Sequence, residues 1–349
     1  MSKVLLVGGA GYIGSVLARE LLERGYAVKI LDRLFFGDEG VRDISDRVEL
    51  VAGDMRLVDG SALTDAGCVI NMGGLSNDPT AEYNPQANRE MNTLATKKLA
   101  DLCVTHGVRR YVFASSCSIY DRGVGNESAD VLLDETSEVY PRAAYSSSKR
   151  EGEKLLLSMA SDTFCPVILR KGTVYGFSPR MRYDLVVNTF VKSVLATGKM
   201  VLYSGGEMWR PLVDVHDVAR AYIACLEAPE EKVRGEIFNI SFHNVRISEL
   251  ALRVRAALRE VGYDAEIAPD YGYHGVRSYR VSSAKIQRVL DFSPKVTIEE
   301  SVKDMVKQIQ QHGYTDFDNP RYYNIRWMRL LEEAHRVISI TGSVFEAQG

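Results

Sequence analysis

The feature that most constrains the fold is a glycine-rich turn, Gly8–Gly14, between a short aliphatic run and a helical pattern. Lys3–Val7 has the unbroken β-branched and aliphatic character of a strand that is buried on both faces of a parallel sheet. Apolar residues then recur at helical spacing up to Gly25, and Tyr26–Leu31 forms a second apolar run that ends at Asp32. This order of strand, glycine turn, helix, strand and terminal carboxylate predicts a β-α-β unit that binds a dinucleotide.

Each of the three spaced glycines in this turn has a mechanical reason. Gly8 permits the tight turn after the strand, Gly11 lets backbone N–H groups approach a pyrophosphate, and Gly14 allows the helix to lie close to the strand. Tyr12 and Ile13 begin the helix between the second and third of these glycines. All five residues are therefore predicted to contact the dinucleotide.

The end of the second apolar run bears on which dinucleotide is bound. Asp32 follows the first glycine by about 20 residues, which places its carboxylate to accept hydrogen bonds from the adenosine ribose hydroxyls. Its charge repels a 2′-phosphate, so NAD is favoured over NADP. Arg33 leaves one alternative open, because its guanidinium either pairs with such a phosphate or is a solvated loop cation.

Strands and helices continue to alternate after this unit. Asn88–His106 has helical character, with Gly107 as the predicted C-cap. The alternation predicts an α/β fold with a doubly wound parallel sheet of the Rossmann type, in which ligands lie beyond the carboxyl ends of the strands. The further predicted strands of this sheet are Val48–Ala52, Cys68–Ile70, Arg110–Ala114 and Pro166–Leu169.

A second constellation predicts chemistry at the same edge of the sheet. Tyr145 and Lys149 are spaced to share one face of a helix, which brings the ammonium near the phenol. A free tyrosine has a pKa of about 10, and a neighbouring positive charge favours the phenolate that a base near neutral pH requires. Ser116 follows a predicted strand and is expected to hydrogen-bond the same substrate oxygen. We therefore predict that Ser116, Tyr145 and Lys149 are catalytic.

Composition and charge exclude several classes of protein. The 349 residues include 43 Lys and Arg against 46 Asp and Glu without a long run of one sign, so neither nucleic acid nor a membrane surface is a predicted partner. No apolar run comes near the length of about 18 residues that a membrane-spanning helix needs. The 5 cysteines are scattered without a C-x-x-C pair, which favours a reducing, cytoplasmic location. His216 and His243 lack partners at metal spacing, so no metal is predicted.

The sequence resembles a known family, the extended short-chain dehydrogenase/reductases, and within it the NAD-dependent nucleotide-sugar epimerases and dehydratases. The resemblance covers roughly residues 3–310. It implies NAD as the cofactor and a nucleotide-diphosphate sugar as the substrate. In this family the tyrosine removes a proton from a sugar hydroxyl, usually at C4, while a hydride passes to NAD. The motifs that carry the resemblance are Gly8-x-x-Gly11-x-x-Gly14, Gly53–Met55, Ala114–Tyr120 and the pair Tyr145 and Lys149.

The resemblance also implies roles for residues outside the glycine turn. Asp54 and Met55 correspond to the strand end that contacts adenine, Gly73 belongs to the loop after the fourth strand, and Asn92 lies behind the active site. Lys149 would also contact the nicotinamide ribose. The predicted cofactor site therefore consists of Gly8, Gly11, Tyr12, Ile13, Gly14, Asp32, Asp54, Met55, Gly73, Asn92, Tyr145 and Lys149.

Polar residues of the second half resemble the substrate-binding segments of the family. Arg210 resembles the arginine that grips the diphosphate, and Arg277 within Gly275–Tyr279 resembles a second one, since two guanidiniums give a diphosphate bidentate bonds. Each arginine is equally compatible with a surface or interdomain ion pair. Asn188 resembles a contact to the nucleotide side or is a helix surface residue. The predicted substrate residues are Ser116, Arg180, Asn188, Arg210 and Arg277.

Departures from the family pattern narrow the reaction. The 4,6-dehydratases of the family carry an Asp-Glu pair directly after the catalytic serine or threonine, where this chain has Cys117 and Ser118. Neither residue suits the extra acid and base that an elimination requires, and the glutamate of the decarboxylases is absent at Ser118 as well. Cys117 has no histidine nearby in the sequence to activate it and is interpreted as a small wall residue.

Three functions remain after these exclusions. The first is a nucleotide-sugar epimerase that acts through transient oxidation at sugar C4, with the hydride held on bound NAD and returned to the other face. The second is a nucleotide-sugar 4-dehydrogenase or 4-ketoreductase with the same Ser-Tyr-Lys site. The third is an NAD-binding regulator without turnover, which the intact catalytic residues disfavour.

The motifs also suggest a division of the chain. We expect an NAD-binding Rossmann domain over residues 1–175, completed by segments around 210–245, and a smaller substrate-binding lobe over 176–312. Residues 313–349 are predicted to form a C-terminal helical extension outside the resemblance. Members of the family commonly dimerise through two helices of the Rossmann domain, so the resemblance also implies a homodimer.

Overall fold

The computed structural model describes residues 3–121, 131–272 and 277–342. The strands within these residues are β1 (Lys3–Val7), β2 (Val28–Asp32), β3 (Val48–Ala52), β4 (Ala66–Asn71), β5 (Arg110–Ser116), β6 (Leu132–Leu133), β7 (Cys165–Lys171), β8 (Thr173–Tyr175), β9 (Lys199–Tyr203), β10 (Trp209–Asp214), β11 (Glu236–Ile240), β12 (His243–Arg246), β13 (Glu266–Asp270) and β14 (Arg280–Val281).

The helices of the same residues are α1 (Tyr12–Glu23), α2 (Asp78–Tyr83), α3 (Pro85–Arg89), α4 (Ala95–Thr105), α5 (Ala144–Ser158), α6 (Val186–Thr197), α7 (Val215–Glu227), α8 (Glu230–Val233), α9 (Ile247–Glu260), α10 (Ala284–Leu290), α11 (Ile298–Gln311) and α12 (Asn324–Thr341). None of these helices combines the length and the apolar character that crossing a bilayer requires.

The central sheet has seven parallel strands in the order β11-β7-β5-β4-β1-β2-β3. Successive strands are added outward from β1 in one direction as far as β3, and the chain then returns to add β4 on the other side of β1. Such a reversal leaves a crevice at the carboxyl ends of the two strands beside it. The predicted α/β fold of the Rossmann type is confirmed.

Helices on both faces of this sheet explain why β1 is apolar at every position. Val4 and Leu6 belong to one buried cluster with residues of α1 and α7. Leu5 and Val7 belong to another cluster with residues of α4 and α5. Because both faces of the strand are covered, no position can be left polar without the cost of a buried polar side chain.

The helical character predicted over Asn88–His106 is confirmed, with one feature that the sequence pattern does not show. The chain is helical there, but Glu90–Leu94 forms one turn of π-helix between α3 and α4. Such turns occur mostly as single bulges within α-helices, frequently at functional sites, and Asn92 lies in this one. Gly107 has a φ of +72° after α4, as a left-handed C-cap requires, so that part of the prediction is confirmed.

The later part of the chain builds a second hydrophobic cluster beside the sheet. α6, α9 and α11 contribute the buried side chains of Phe190, Val254 and Met305 to it. Strands β8, β10 and β12 form a separate three-stranded sheet, while β9 pairs with β13 and β6 pairs with β14. The chain re-enters the central sheet with β11, so the segments that build this cluster lie both before and after β11 in the sequence.

Candidate active site

A cavity of about 470 Å³ opens at the carboxyl edge of the central sheet. The predicted site residues that line it are Gly8, Gly11, Tyr12, Ile13, Gly14, Asp32, Asp54, Met55, Gly73, Ser116, Tyr145, Lys149, Arg180 and Arg277. Three predicted site residues, Asn92, Asn188 and Arg210, do not line it. The structure therefore brings most of the predicted residues into one crevice, although they come from distant parts of the sequence.

The turn between β1 and α1 leaves almost no room for side chains. Gly8 has a φ of +77°, and a Cβ atom there would lie 2.9 Å from the backbone nitrogen of Gly73. A Cβ atom on Gly14 would lie 2.5 Å from the carbonyl oxygen of Gly8 and 2.6 Å from the Cα atom of Gly9. At Gly11 the same carbonyl oxygen lies 3.2 Å away, and the space is otherwise open. The turn is thus closed toward the protein and open above Gly11, as a cradle for a phosphate requires.

The carboxylate of Asp32 ends β2 beside this turn. It accepts hydrogen bonds from the backbone N–H groups of Ala10 at 3.0 Å and Leu34 at 2.8 Å. Burial raises the pKa of Asp32, and these hydrogen bonds act in the opposite direction. The half-exposed guanidinium of Arg33 lies 3.0 Å from a carboxylate oxygen of Asp54. Arg33 is therefore already paired with a carboxylate of the protein.

Ser116, Tyr145 and Lys149 meet at the opposite end of the cavity. Burial raises the pKa of Tyr145, while its hydrogen bond with Ser116 and the charge of Arg182 lower it. Burial lowers the pKa of Lys149 to about 8. The ammonium of Lys149 lies 4.9 Å from the centroid of the Phe113 ring, within the range of a cation–π contact. The phenol, the hydroxyl and the amine thus face one cavity from α5 and the end of β5.

A buried ion pair beneath the cavity joins α5 to β7. Glu153 accepts hydrogen bonds from Arg170, at 2.8 Å from Nε and 2.7 Å from Nη2, and another from the hydroxyl of Ser115. Arg170 also donates to the hydroxyl of Tyr120 at 2.6 Å. Because Glu153 lies one helical turn after Lys149, this network holds the catalytic helix against the sheet.

Asn92 lies behind the wall of the cavity and is completely buried. Its side-chain oxygen accepts a hydrogen bond from the backbone N–H of Leu75 at 2.8 Å. Its amide donates to the carbonyl of Leu75 at 3.0 Å and to the hydroxyl of Ser148 at 3.2 Å. Since Ser148 directly precedes Lys149, this bond ties Asn92 to α5, and the side chain of Asn92 does not line the cavity. The cofactor contact expected of Asn92 stays a prediction.

Asn188 and Arg210 also differ from their predicted places at the substrate. Asn188 is completely buried, accepts a hydrogen bond from the N–H of Gly176 at 3.0 Å and donates to the carbonyl of Arg182 at 2.9 Å. Arg210 extends along β10 and donates to the carbonyl of Trp209 at 2.9 Å. Asn188 is therefore held by partners within the protein. Arg210 uses one N–H group on its neighbour's carbonyl, so its role toward the substrate stays a prediction.

The charged groups around Arg277 and Arg182, the part of the cavity that is called the sugar end below, are paired with one another. Arg277 lines the cavity and forms an ion pair with Asp78, and its Nε atom lies 3.6 Å from a carboxylate oxygen of Asp121. The preceding Gly275 and Val276, which belong to the same predicted segment, lie outside the described residues. An arginine was expected here from the sequence, but its carboxylate partners were not.

Sequence reasoning missed two cations of the cavity. Arg182 pairs with Asp184 at 2.8 Å and lies near enough to Tyr145 for its charge to lower the phenol's pKa. Lys171 stands opposite Ser116 in the register of β5 and β7, and burial lowers its pKa to about 7. The position of Lys171 at the end of a predicted strand was the available signal, because ligands bind at that edge of the sheet.

Four carboxylates line the cavity among the described residues, and each is already held by the protein. Their partners are backbone N–H groups for Asp32, Arg33 for Asp54, Arg277 for Asp78 and Arg182 for Asp184. The pKa of Asp54 is lowered by its arginine partners, and that of Asp184 is lowered by Arg182 despite burial, so neither carboxyl readily carries a proton to donate. Burial raises the pKa of Asp32, but backbone N–H groups already occupy its oxygens.

Comparison with known proteins identifies the family. Residues 4–241 match the model of the NAD dependent epimerase/dehydratase family. The chain belongs to this family. NAD is accordingly its cofactor, and the open turn at Gly11 together with the carboxylate of Asp32 fits a dinucleotide without a 2′-phosphate.

Individual members of the epimerase/dehydratase family differ in reaction. A UDP-N-acetyl-alpha-D-glucosaminuronate decarboxylase of Bacillus cytotoxicus is 25% identical over 324 residues, which cover 88% of this chain and 98% of the relative. A putative UDP-glucose 4-epimerase of Methanocaldococcus jannaschii is 27% identical over 89% of this chain and 100% of the relative. The solved structure of MoeE5 in complex with UDP-glucuronic acid and NAD is 26% identical, with a TM-score of 0.75 over 89% of this chain and 99% of MoeE5. These relatives support an NAD-dependent enzyme of nucleotide sugars and do not select one reaction.

Proposed function

We propose that the protein is a nucleotide-sugar epimerase that acts through transient oxidation at sugar C4. The observation that carries this proposal is the convergence of Ser116, Tyr145 and Lys149 on a cavity whose carboxylates are all engaged by arginines or backbone N–H groups. Such a site supplies a base and an oxygen-binding hydroxyl, which oxidation and reduction of an alcohol need. It lacks the additional free acid and base of an elimination.

The chain would hold NAD in the crevice between the glycine turn and α5. Gly8, Gly11 and Gly14 leave room for the pyrophosphate, and Asp32 faces the adenosine ribose. Lys149 is the residue of α5 that is expected to contact the nicotinamide ribose. When bound there, NAD would supply a reversible hydride acceptor beside the sugar carbon.

Tyr145 and Ser116 would handle the proton of the same reaction. The hydroxyl of Ser116 hydrogen-bonds the reacting sugar oxygen and orients it toward the phenol. Tyr145, as the phenolate, takes the proton from that oxygen while the C–H bond breaks, and it gives the proton back when the 4-keto group is reduced. Burial opposes the phenolate, while the hydrogen bond with Ser116 and the charge of Arg182 favour it. When Lys149 is protonated, its charge on the same helix would add to this effect.

The residues that follow Ser116 support a reaction without elimination or decarboxylation. The Sγ atom of Cys117 donates to the carbonyl of Arg170 at 3.2 Å, and burial raises the pKa of this thiol far above neutrality. Ser118 has a hydroxyl, which is a poor acid and a poor base near pH 7. Neither residue replaces the carboxylates that the dehydratases and decarboxylases of the resemblance carry there.

The paired arginines at the sugar end support a diphosphate-containing substrate. Arg277 and Arg182 are each neutralised by an aspartate of the protein in this structure. A diphosphate offers bidentate acceptors of the kind that guanidinium prefers, so its entry would add to these ion pairs or replace them. The two arginines therefore favour a nucleotide-diphosphate substrate, and the experiment below identifies its sugar and its base.

The deciding experiment supplies no added cofactor. Purified protein is incubated with UDP-, GDP-, CDP- and dTDP-sugars, and products are followed by proton NMR while bound cofactor is followed by its absorbance. Formation of a C4 stereoisomer without net reduction of NAD supports the epimerase. Stoichiometric reduction of bound NAD that then stops, or catalytic turnover only with added NAD or NADH, would instead identify a 4-dehydrogenase or 4-ketoreductase.

A further inference from the structure

The C-terminal segment, residues 319–342, contributes to the wall of the cavity although the family match ends at residue 241. Ile325 and Met328 of α12 line the cavity. The indole N–H of Trp327 donates to the backbone carbonyl of Phe35, and Arg321 forms an ion pair of 2.6 Å with Glu39. Two links thus tie this segment to the loop after β2, beside the predicted adenosine site.

The same segment is tied to the other side of the crevice through Asn324. Its amide donates to the hydroxyl of Ser76 at 2.8 Å, and its backbone N–H donates to Asp184 at 3.2 Å. Further along α12, Glu332 accepts a hydrogen bond from the hydroxyl of Tyr83. Since Ser76 and Tyr83 follow β4 and Phe35 follows β2, α12 bridges loops on both sides of the turn after β1.

Arg180 is the charged residue that Asn324 of this segment contacts. Its Nη2 atom donates to the side-chain oxygen of Asn324 at 2.7 Å, and its guanidinium lies 3.7 Å from the centroid of the Phe36 ring. Arg180 lines the cavity and is only 7% exposed, and its Nε atom has no hydrogen-bond partner among the described residues. A buried guanidinium with an orphan N–H is costly unless an anion completes its bonds.

The position of Arg180 indicates which anion that is. A Cβ atom on Gly40 would lie 2.9 Å from the carbonyl oxygen of Ala10 and 3.0 Å from the Cβ atom of Arg180. Arg180 is therefore a close neighbour of the turn that opens above Gly11. Its charge also interacts with that of Asp32 at the end of β2. Gly40, Ala10 and Asp32 belong to the cofactor end of the cavity, although the charges of Arg182 and Asp184 also act on Arg180.

We propose that residues 319–342 form a retaining strap over the NAD site, and that Arg180, held by Asn324, binds the pyrophosphate of NAD beneath it. Release of the cofactor then requires the links of α12 to both loops to break. The proposal revises the substrate contact that the sequence suggests for Arg180. It rests on NAD as the cofactor and not on the epimerase reaction, so it holds equally for a 4-dehydrogenase.

The test measures release of NADH from the loaded full-length protein. The protein is saturated with NADH, excess NAD is added, and the loss of NADH fluorescence gives the dissociation rate. Asn324→Ala removes the bonds to Arg180 and Ser76, so the dissociation rate should rise by about tenfold to a hundredfold. Ile340→Ala, at the exposed far end of the same helix, is the matched control and should leave the rate unchanged.

Thermal unfolding of the cofactor-free variants separates a strap from a structural support. An unchanged NADH dissociation rate in Asn324→Ala overturns the proposal, whether or not the melting temperature falls. A faster release with a melting temperature equal to that of the control supports it. Failure to find an epimerised product does not affect either readout.

A second pair of variants tests the role of Arg180 directly. Arg180→Met should weaken NADH binding by at least tenfold and leave the affinity of the NAD-loaded protein for uridine diphosphate unchanged, while Arg180→Lys should recover part of the loss. The reverse pattern, with weaker binding of uridine diphosphate and unchanged binding of NADH, would assign Arg180 to the substrate and overturn the proposal.

Discussion

The two ends of the cavity are built in different ways. At the cofactor end, Gly8–Gly14 is a continuous piece of chain whose shape follows from backbone sterics within and around the turn. At the sugar end, Arg182 and Arg277 come from segments far apart in the sequence, and each meets an aspartate there. A short motif therefore specifies the first end. The second end depends on where the fold places segments that are far apart in the sequence, as it does when Arg277 meets Asp78.

We expect the parts of the cavity wall that are assembled from distant residues to be the more fragile ones. The largest effect should come from Glu153→Gln, in the buried ion pair beneath the cavity. The variant leaves the buried Arg170 without its carboxylate, which should lower the free energy of unfolding by about 3–5 kcal/mol in urea denaturation. Glu151→Gln on the same helix is the control, because Glu151 pairs with Arg89 in an exposed ion pair and should cost less than about 1 kcal/mol. Equal losses in the two variants would contradict the role assigned to the buried pair.

The chemistry of the assembled end is tested by Tyr145→Phe. Loss of the general base should lower the rate of epimerisation by at least about a hundredfold, measured by NMR on the substrate found in the panel. NADH binding, measured by fluorescence titration, should be nearly unchanged because the glycine turn is intact. Tyr271→Phe, at an exposed position, serves as the control. A variant that retains the wild-type rate would remove Tyr145 from the mechanism.

The cofactor end is tested by two alanine substitutions in one turn. Gly14→Ala places a methyl group against the backbone of Gly8 and Gly9, which should cost about 1–3 kcal/mol of folding stability. Gly11→Ala meets only the carbonyl oxygen of Gly8, at 3.2 Å, so it should lower the melting temperature less than Gly14→Ala does, but it should weaken NADH binding by at least about tenfold. If both variants lose stability equally, the distinction between a closed glycine and an open glycine is wrong.

The smallest expected effect concerns the helix that follows the turn. His216 of α7 lies 3.5 Å from Glu20 of α1, and this contact raises the pKa of His216. The stabilisation is complete below the unfolded pKa of about 6.5 and is lost as the pH rises through the higher folded pKa. Because the pair is partly exposed, it should contribute no more than about 1 kcal/mol. The free energy of unfolding, measured by urea denaturation at several pH values, should fall by this amount as the pH rises. His216→Gln should abolish that fall. A fall of more than about 1 kcal/mol would mean that the packing of α1 depends on this contact with α7 more strongly than a partly exposed ion pair allows.

Local sequence patterns predicted many of the strands and helices of the Rossmann sheet. The strands Lys3–Val7 and Val48–Ala52 have the predicted bounds. The unbroken apolar run of the first fits a strand buried on both faces, whereas the second is an edge strand in which Glu49 and Ala52 are exposed. Asn88–His106 was predicted to have helical character, but periodicity does not reveal the turn of π-helix in which Asn92 lies. The gathering of Ser116, Tyr145 and Lys149 at one edge also followed from the sequence, since the carboxyl ends of parallel strands share an edge.

Partners across the fold were beyond reach of such patterns. Asn188 and Arg210 have the residue types of substrate contacts, but the structure gives them partners within the protein. Lys171 and Arg182 reach the cavity without a motif that marks them. The same holds for Asn324, whose bonds to Arg180 and Ser76 join residues that are more than a hundred positions apart.

The sequence by itself determined the Rossmann sheet, the turn that fits NAD and the placing of Ser116, Tyr145 and Lys149 at one edge of that sheet. These features depend on glycine sterics, on the period of apolar residues and on the shared edge of parallel strands, all of which act over short stretches of chain. Only the tertiary structure decided which carboxylates are neutralised, which predicted contacts are buried elsewhere, and that the C-terminal segment reaches the cavity. Those outcomes depend on burial and on charge pairing between distant residues, and no local pattern encodes the partner of a buried charge.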